Sequence, residues 1–306
     1  MNKILVGLTY DLRDDYLKMG FSKEETAEFD KIDTIEGIEN ALHFNGYETE
    51  RIGNVNALMQ KLLNGNRWDI VFNICEGLYG IGREAQVPAI LDIFKIPYTF
   101  SDPMVLSLTL HKAMTKRVVR DLGLNTPDFF VISKIDELID KMSKVDNFSQ
   151  LFNTVKGLLE KFNQPVLVEE YLPGREFTVG VVGTGKESIA TGLMEVKLVN
   201  QENELIYSYD NKENYQGVID YTVPEKEVKD ECEALAVAAW KGLECRDGGR
   251  VDIRMDKNGK PAFIEVNPLA GLNPVHSDLP ILSRKNGIDY NELIGIIMKS
   301  AIMRIK

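Results

Sequence analysis

The stretch GGRVDIRMDKNGKPAFIEVNPLAGLNP, Gly248 to Pro274, constrains the fold more than any other part of the chain. Val251, Ile253 and Met255 alternate with Arg250, Asp252 and Arg254. After the turn DKNG, Ala262, Ile264 and Val266 alternate with Phe263, Glu265 and Asn267. A period of two on both sides of a Gly-containing turn predicts a β-hairpin. Side chains on a strand alternate faces, so strict alternation sets one apolar face against another that gathers Asp252, Glu265, Asn267 and two arginines. A solvated face is the ordinary explanation, because antiparallel sheets commonly wet one side. The competing explanation is a magnesium site. Mg²⁺ is a hard cation, typically held by one or two carboxylates together with substrate phosphates. Asp252, Glu265 and Asn267 supply oxygen ligands, with neither Cys nor His among them.

The totals narrow the classes. The 306 residues are enough for two or three modest domains. A net charge of −11 argues against a general nucleic-acid binder, which shows a basic face. Cys75, Cys232 and Cys245 are scattered, odd in number and without metal spacing, which points to a reducing cytosol. The start, MNKILVGLTYDLRDD, turns charged too early for a signal peptide. No apolar run is long enough to span a membrane, so a cytoplasmic protein without nucleic-acid or membrane partners is expected.

Strand and helix alternate over the first hundred residues, the pattern of an open α/β domain. KILVGLTY and WDIVFNIC read as strands. DTIEGIENALHFNGYETERIG reads as a helix and a strand, with Asp33 as N-cap and Glu36 completing a capping box. Ligands in such sheets sit at the carboxyl ends of the strands, which draws attention to EGLYGIGREAQ after Cys75. A helix is expected from about Val105 to Leu122 and another from Thr154 to Phe162. NELIGIIMKSAIMRI reads as a terminal amphipathic helix. GVVGTGK, Gly180 to Lys186, has P-loop spacing, but Glu187 follows where Ser or Thr is required, so a hairpin turn is expected.

Three further stretches carry candidate chemistry. VLVEEYLPGRE, Val166 to Glu176, is a strand end whose backbone groups beside Glu169 to Leu172 suit an adenine edge, with Glu176 placed for ribose hydroxyls; surface acids at a strand end are the plainer reading. Lys112, in LTLHKAMTK, is either a solvated lysine or a phosphate clamp. The loop NPLAGLNP, Asn267 to Pro274, exposes backbone N–H groups suited to a developing oxyanion, or simply connects two elements.

IPYTFSDP, HKAMTK, PVLVEEYLPGREFTVG, GRVDIRMDKNGKPAFIEVNPLAGLNP and HSDLP, in that order, resemble the ATP-grasp ligases, and the D-alanine–D-alanine ligases in particular. The resemblance covers most of the chain beyond about Asp69. It implies an α/β protein of α+β lobes with the ATP-grasp fold: an N-terminal Rossmann-like domain (1–100), a small central domain (101–172) and a C-terminal catalytic domain (173–306). It implies an ADP-forming carboxylate–amine ligase that forms a dipeptide through an acylphosphate, with ATP and two Mg²⁺ ions, Mn²⁺ being an acceptable substitute. Peptidoglycan precursor synthesis and a homodimer follow from the family alone. By match, Asp252, Glu265 and Asn267 are the metal ligands. Arg250 stabilises the transferring phosphoryl group, and Gly271 donates a backbone N–H to the oxyanion. Ser277 and Leu279 lie where the family binds the second substrate. Glu169, Tyr171, Leu172 and Glu176 match the adenine and ribose positions, and Lys112 a phosphate-contacting lysine. Lys212, in YSYDNKENYQGVIDY, falls in the stretch resembling the family's lid.

Four departures point to altered substrates or altered chemistry. Glu28 is the best positional match for the acid that binds the first substrate's ammonium. The family's His-Gly pair is Glu76-Gly77 here, and a lid tyrosine is Glu213. These changes, with Asp278 beside Ser277, favour cationic substrates over D-alanine. The fourth departure lies at Met142–Ser143, where the family's strand with a second ATP-binding lysine and its glycine-rich loop are missing. Loss of that phosphate clamp predicts weak catalysis or a nucleotide-binding, non-catalytic homologue. A longer natural chain predicts an intact mass clearly above 34.6 kDa.

Overall fold

The computed structural model describes residues 3–141, 148–198 and 219–305. The first unit is a parallel sheet in the order β2-β1-β3, built from Leu5–Tyr10 (β1), Glu48–Gly53 (β2) and Ile70–Ile74 (β3). Parallel strands need crossovers. They are supplied here by Ile32–Phe44 (α2) and Val55–Leu63 (α3), after a short first helix, Arg13–Lys18 (α1). Both sheet faces are covered, so β3 is buried along its whole length, as parallel strands are. On one face Leu58, Leu62, Trp68 and Leu91 pack together. On the other, Val6, Leu8 and Phe72 join Ile35, Ile38, Leu293 and Ile297 in one core. Ile297 belongs to the terminal helix, Tyr290–Met303 (α11), so the beginning and end of the chain share a core. That shared core fixes the walls of the cavity described below.

The α2 start differs from expectation. Lys31 is the N-cap, and Asp33 lies within the first turn. The Asp33 carboxylate accepts the Thr34 N–H at 3.1 Å and the Asn273 side-chain amide at 3.1 Å. A long-range partner thus takes the oxygen that a capping box would have used.

Gln86–Phe94 (α4) leads to a pair of helices where one was expected. Asp102 caps Pro103–Leu110 (α5), accepting from Met104 and Val105 N–H. His111 breaks the run with φ −90° and ψ 78° and caps Lys112–Asp121 (α6). Lys112 is therefore the first residue of a helix rather than an interior one. A small antiparallel pair follows, Phe129–Ile132 (β4) with Val166–Glu169 (β5). It packs under Ile135–Lys141 (α7) and Phe148–Phe162 (α8) through Ile132, Leu138 and Val155. The helix expected from Thr154 thus begins six residues earlier.

The last unit is an antiparallel sheet in the order β10-β9-β6-β7-β8, formed by Glu176–Val182 (β6), Ile189–Leu198 (β7), Ile219–Thr222 (β8), Gly248–Met255 (β9) and Pro261–Asn267 (β10). The Gly183–Ser188 stretch turns between β6 and β7, so the glycines of GVVGTGK serve a hairpin as expected. Lys226–Gly242 (α9) covers one face, and its Trp240 is fully enclosed, donating to the Gly183 carbonyl at 3.2 Å. Burying an apolar side chain of this class contributes about 1.5–3 kcal/mol. Asp278–Lys285 (α10) packs on the other face of the sheet.

Candidate active site

The β9–β10 hairpin does not alternate strictly. Phe263 pairs with Ile253, but Glu265 pairs with Asp252, so Ile264 is an extra residue in a β-bulge. A bulge offsets the pleat by one residue. Before it, Phe263 shares the apolar face with Ile253, and both are fully buried. After it, Glu265 stands opposite Asp252 and Asn267 opposite Arg250. The expected polar face is correct for Asp252, Glu265 and Asn267 and wrong for Phe263. Without the bulge, Glu265 would have pointed into the core.

Each carboxylate of this face meets a cation. Arg250 Nη1 lies 2.6 Å from Asp252 Oδ2 and 3.5 Å from Asp278 Oδ2. The Thr178 hydroxyl on β6 donates to Asp252 Oδ1 at 3.0 Å. Lys112 forms an ion pair with Glu265. Burial acts against the charge on Lys112, but Glu265 outweighs it and raises the ammonium pKa. One helical turn on, Lys116 pairs with Glu169 at 2.7 Å.

Lys112, Arg250, Glu265 and Asn267, with Gly271 and Ser277, line one side of a cavity of about 900 Å³. The opposite wall comes from the first unit: Glu28, Asp30, Glu76, Arg83 and Glu84. Gly77 makes the turn after β3. Its φ is +68°, its N–H donates to Asp11 Oδ2 at 3.0 Å, and a Cβ there would meet the Arg83 carbonyl at 2.6 Å. Arg83 pairs with Glu28 and, at 3.2 Å, with Glu84. Arg13 and Lys31 also line this wall. Burial, then the charges of Glu84 and Glu28, push the Glu76 carboxyl well up, against the opposing effect of Arg83. Burial pushes Glu84 up to about 7. Burial likewise raises Asp30 to about 7, with Asp11 and Asp33 adding to it and Thr34 opposing. His276, also on the wall, is held below its ordinary pKa by burial.

The loop after β10 is tied by Asn273. Its amide donates to Asp33 and Thr34, and its Oδ1 accepts from Val275 and His276 N–H at 2.9 and 3.2 Å. Ser277 Oγ accepts the Asn273 N–H at 2.9 Å and would lie 2.9 Å from a Cβ on Gly271. Gly271 itself is exposed. Leu279 departs from expectation: its side chain is fully enclosed in the core beside Leu282, leaving only backbone to meet a ligand. Asp278 faces Arg250.

The residues matched to adenine and ribose are less gathered. Tyr171 and Leu172 line a separate cleft of about 380 Å³ with Asn125, Thr126 and Ala262. Glu176 pairs with Arg254 at 3.5 Å, and Arg254 stacks 5.0 Å from the Tyr171 ring centre. Glu169 points instead to Lys116. Lys212, Glu213 and the Met142–Ser143 junction lie outside the described residues.

The donor set suits Mg²⁺. Asp252 and Glu265 face each other with Asn267 one pleat on, and among the described residues no cluster of three or more acidic, His or Cys side chains forms a self-sufficient cage. A site that takes its remaining ligands from phosphates and water needs no such cage. Arg250 and Lys112 already place positive charge against these two carboxylates. Sequence reasoning missed Asp30, Arg83, Glu84 and Lys116. Arg83 and Glu84 sit in the flagged EGLYGIGREAQ, but no spacing marks them.

Residues 141–299 match the family model described as the D-ala D-ala ligase C-terminus. An uncharacterised protein of Sinorhizobium fredii is 32% identical over 257 residues, covering 77% of this chain and 75% of that protein. The D-alanine–D-alanine ligase of Aquifex aeolicus is 30% identical over 285 residues, covering 87% and 93% respectively. Among solved structures, the D-alanine–D-alanine ligase of Bacillus anthracis complexed with ATP superposes with a TM-score of 0.76 at 22% identity, over 100% of this chain and 99% of that one. The VanG D-Ala:D-Ser ligase of Enterococcus faecalis superposes with a TM-score of 0.73 at 15% identity, over 98% and 100%. The three sheets described above thus have the multi-lobed α/β architecture of these structures.

Proposed function

The chain belongs to the D-alanine–D-alanine ligase family of ATP-grasp proteins, and from that premise we propose that it joins a carboxylate to an amine at the expense of ATP. The observation that carries this reading is the bulged hairpin, which sets Asp252, Glu265 and Asn267 on one face; Glu265, Asn267, Arg250 and Lys112 line one cavity, and Asp252 pairs with Arg250 beside it. Mg²⁺ held by Asp252, Glu265 and Asn267 would neutralise triphosphate charge. Lys112 and Arg250 would hold the transferring γ-phosphoryl group, which moves from ATP to a substrate carboxylate oxygen as the β–γ bridge breaks and ADP leaves. The amine nitrogen then attacks the acyl carbon. Gly271 offers its backbone N–H to the oxyanion, and collapse releases phosphate and leaves the amide. Ser277 and the Leu279 backbone flank the place for the second substrate. A homodimer, a cytoplasmic location and a role in peptidoglycan precursor synthesis complete the proposal; among the described residues no helix is long and apolar enough to cross a membrane.

Substrates other than D-alanine form a second reading, favoured by the acidic wall. Glu28, Asp30, Glu76 and Glu84 line the cavity from the first unit, with Arg83 paired to Glu28 and Glu84. Carboxyls held protonated by burial and mutual repulsion gain from a substrate ammonium that replaces the proton. Phosphate release from Mg-ATP across D- and L-amino acids, hydroxy acids and diamines, each alone and with D-alanine, tests both readings. Release with D-alanine alone supports a dipeptide ligase, and release only with a further amine supports the second reading. No release with any acceptor, while ATP still binds, counts against ligase activity.

A further inference from the structure

Lys116 is a buried charge that the reaction above does not use. Only 1% of its side chain is exposed, against 57% for Lys112 one helical turn earlier. A lysine is almost never buried to this degree unless paired. Its ammonium lies 2.7 Å from Glu169 Oε1, 3.5 Å from the Phe263 carbonyl oxygen and 5.8 Å from the centre of the Phe263 ring. Helix α6 therefore holds two acids with two lysines. Exposed Lys112 holds Glu265 on the bulged strand, and enclosed Lys116 holds Glu169 at the end of β5. The two pairs are close enough that Glu265 acts on Lys116 and Glu169 on Lys112.

We propose that Lys116 is a positioning residue for nucleotide choice. It fixes the Glu169 carboxylate so that one oxygen accepts a hydrogen bond from the exocyclic amino group of adenine. The inference rests on the reading of Glu169 as a base contact. An ionised carboxylate only accepts. Adenine carries an amino donor at C6, whereas hypoxanthine carries a carbonyl there, so the same oxygen attracts one base and repels the other. A glutamate at a strand end has several staggered rotamers. The enclosed ammonium, itself unable to reach the ligand, selects one of them. Its burial beneath β10 keeps that choice independent of whether nucleotide is present, which the exposed Lys112 cannot do.

The experiment is calorimetric binding of Mg-ATP and Mg-ITP to the full chain, with thermal melting of each variant. Glu169→Ala tests the premise: loss of the ATP-over-ITP preference is expected, and an unchanged preference would remove the base contact and this inference with it. Lys116→Met is expected to weaken ATP about tenfold, the scale of one charged hydrogen bond, while ITP changes less than about twofold. Lys116→Gln keeps a neutral donor and decides the matter if the Met variant does not fold; its ATP-over-ITP preference is expected to fall about threefold. If the Lys116 variants weaken ATP and ITP equally while Glu169→Ala abolishes the preference, Lys116 is a packing residue and the inference fails, with the Glu169 reading intact.

Discussion

Asp247 and Glu84 are both carboxylates enclosed by the protein, and their surroundings differ in one respect. Asp247, wholly buried with φ +65°, is surrounded by donors: Phe100 N–H at 2.7 Å, the Thr184 hydroxyl at 3.2 Å, the Ser300 hydroxyl at 2.7 Å and the Arg304 guanidinium, whose Nε lies at 3.2 Å. Those donors come from the end of the first unit, the β6–β7 turn and α11, so one side chain ties three parts of the fold. Glu84 is 6% exposed, yet its neighbours are Arg83 and a second acid, Glu76. A buried acid surrounded by donors fixes structure; one facing a cavity beside another acid has its pKa raised towards neutrality and can exchange its proton for a ligand's positive charge. The same contrast separates Lys116 from Lys112.

The largest expected effect breaks the saturated site. Asp247→Ala leaves Arg304 and three other groups without their acceptor and should cost about 3–5 kcal/mol, as removal of one partner of a buried pair does; urea unfolding measures it. A loss under about 1 kcal/mol would mean that the Asp247 network does not tie the units together. Glu265→Gln should do the reverse: turnover falls about 10²–10³-fold, on the scale of losing one transition-state electrostatic contact, while the urea midpoint and adenine-nucleotide binding are largely kept. Unchanged turnover would remove Glu265 from the metal site.

Glu84→Gln sharpens the comparison through pH. A carboxyl whose folded pKa is about 7 lies above its unfolded value near 4.3. The folded state therefore binds the proton more tightly, and the stability this gives is present at pH 4 and lost as pH rises through about 7. Glutamine mimics the protonated form, so the variant should melt above the wild type at pH 8 and level with it at pH 4. Equal melting at both would show that Glu84 ionises freely. The smallest effect is expected for Gly271→Ala. The new methyl meets the Ser277 hydroxyl, a group able to turn aside, so stability should fall by about 1 kcal/mol or less, with a several-fold loss in turnover if the loop's N–H serves the oxyanion.

Much of this molecule is local enough to be read from its sequence. The alternating first hundred residues, the β6–β7 hairpin in place of a P-loop, and the carboxylates of the β9–β10 hairpin depend on period-two patterning, turn residues and side-chain chemistry within a few positions. Lys112 was singled out as a candidate cation, but its pairing with Glu265 is set by the fold. The kink at His111 and the capture of Asp33 by Asn273 were not legible, because a helix pattern records which residues favour a helix and not which distant group will take a backbone or carboxyl oxygen. Lys116, Arg83 and Glu84 carry no motif; their burial and their partners arise only when β5, β10 and the loop after β3 come together.

The bulge at Ile264 shows the division most directly. Sequence determined which residues were available: two carboxylates, a carboxamide and two arginines on paired strands. With Phe263 buried opposite Ile253, unbroken alternation would nonetheless have sent Glu265 to the apolar side and left Asp252 alone. Tertiary structure decided otherwise, because Phe263 fills the core beside Ile253 while Val266 must fill it beside Val251, and one extra residue between them satisfies both. Packing of the apolar face thus set the register of the polar one, and that register created the site.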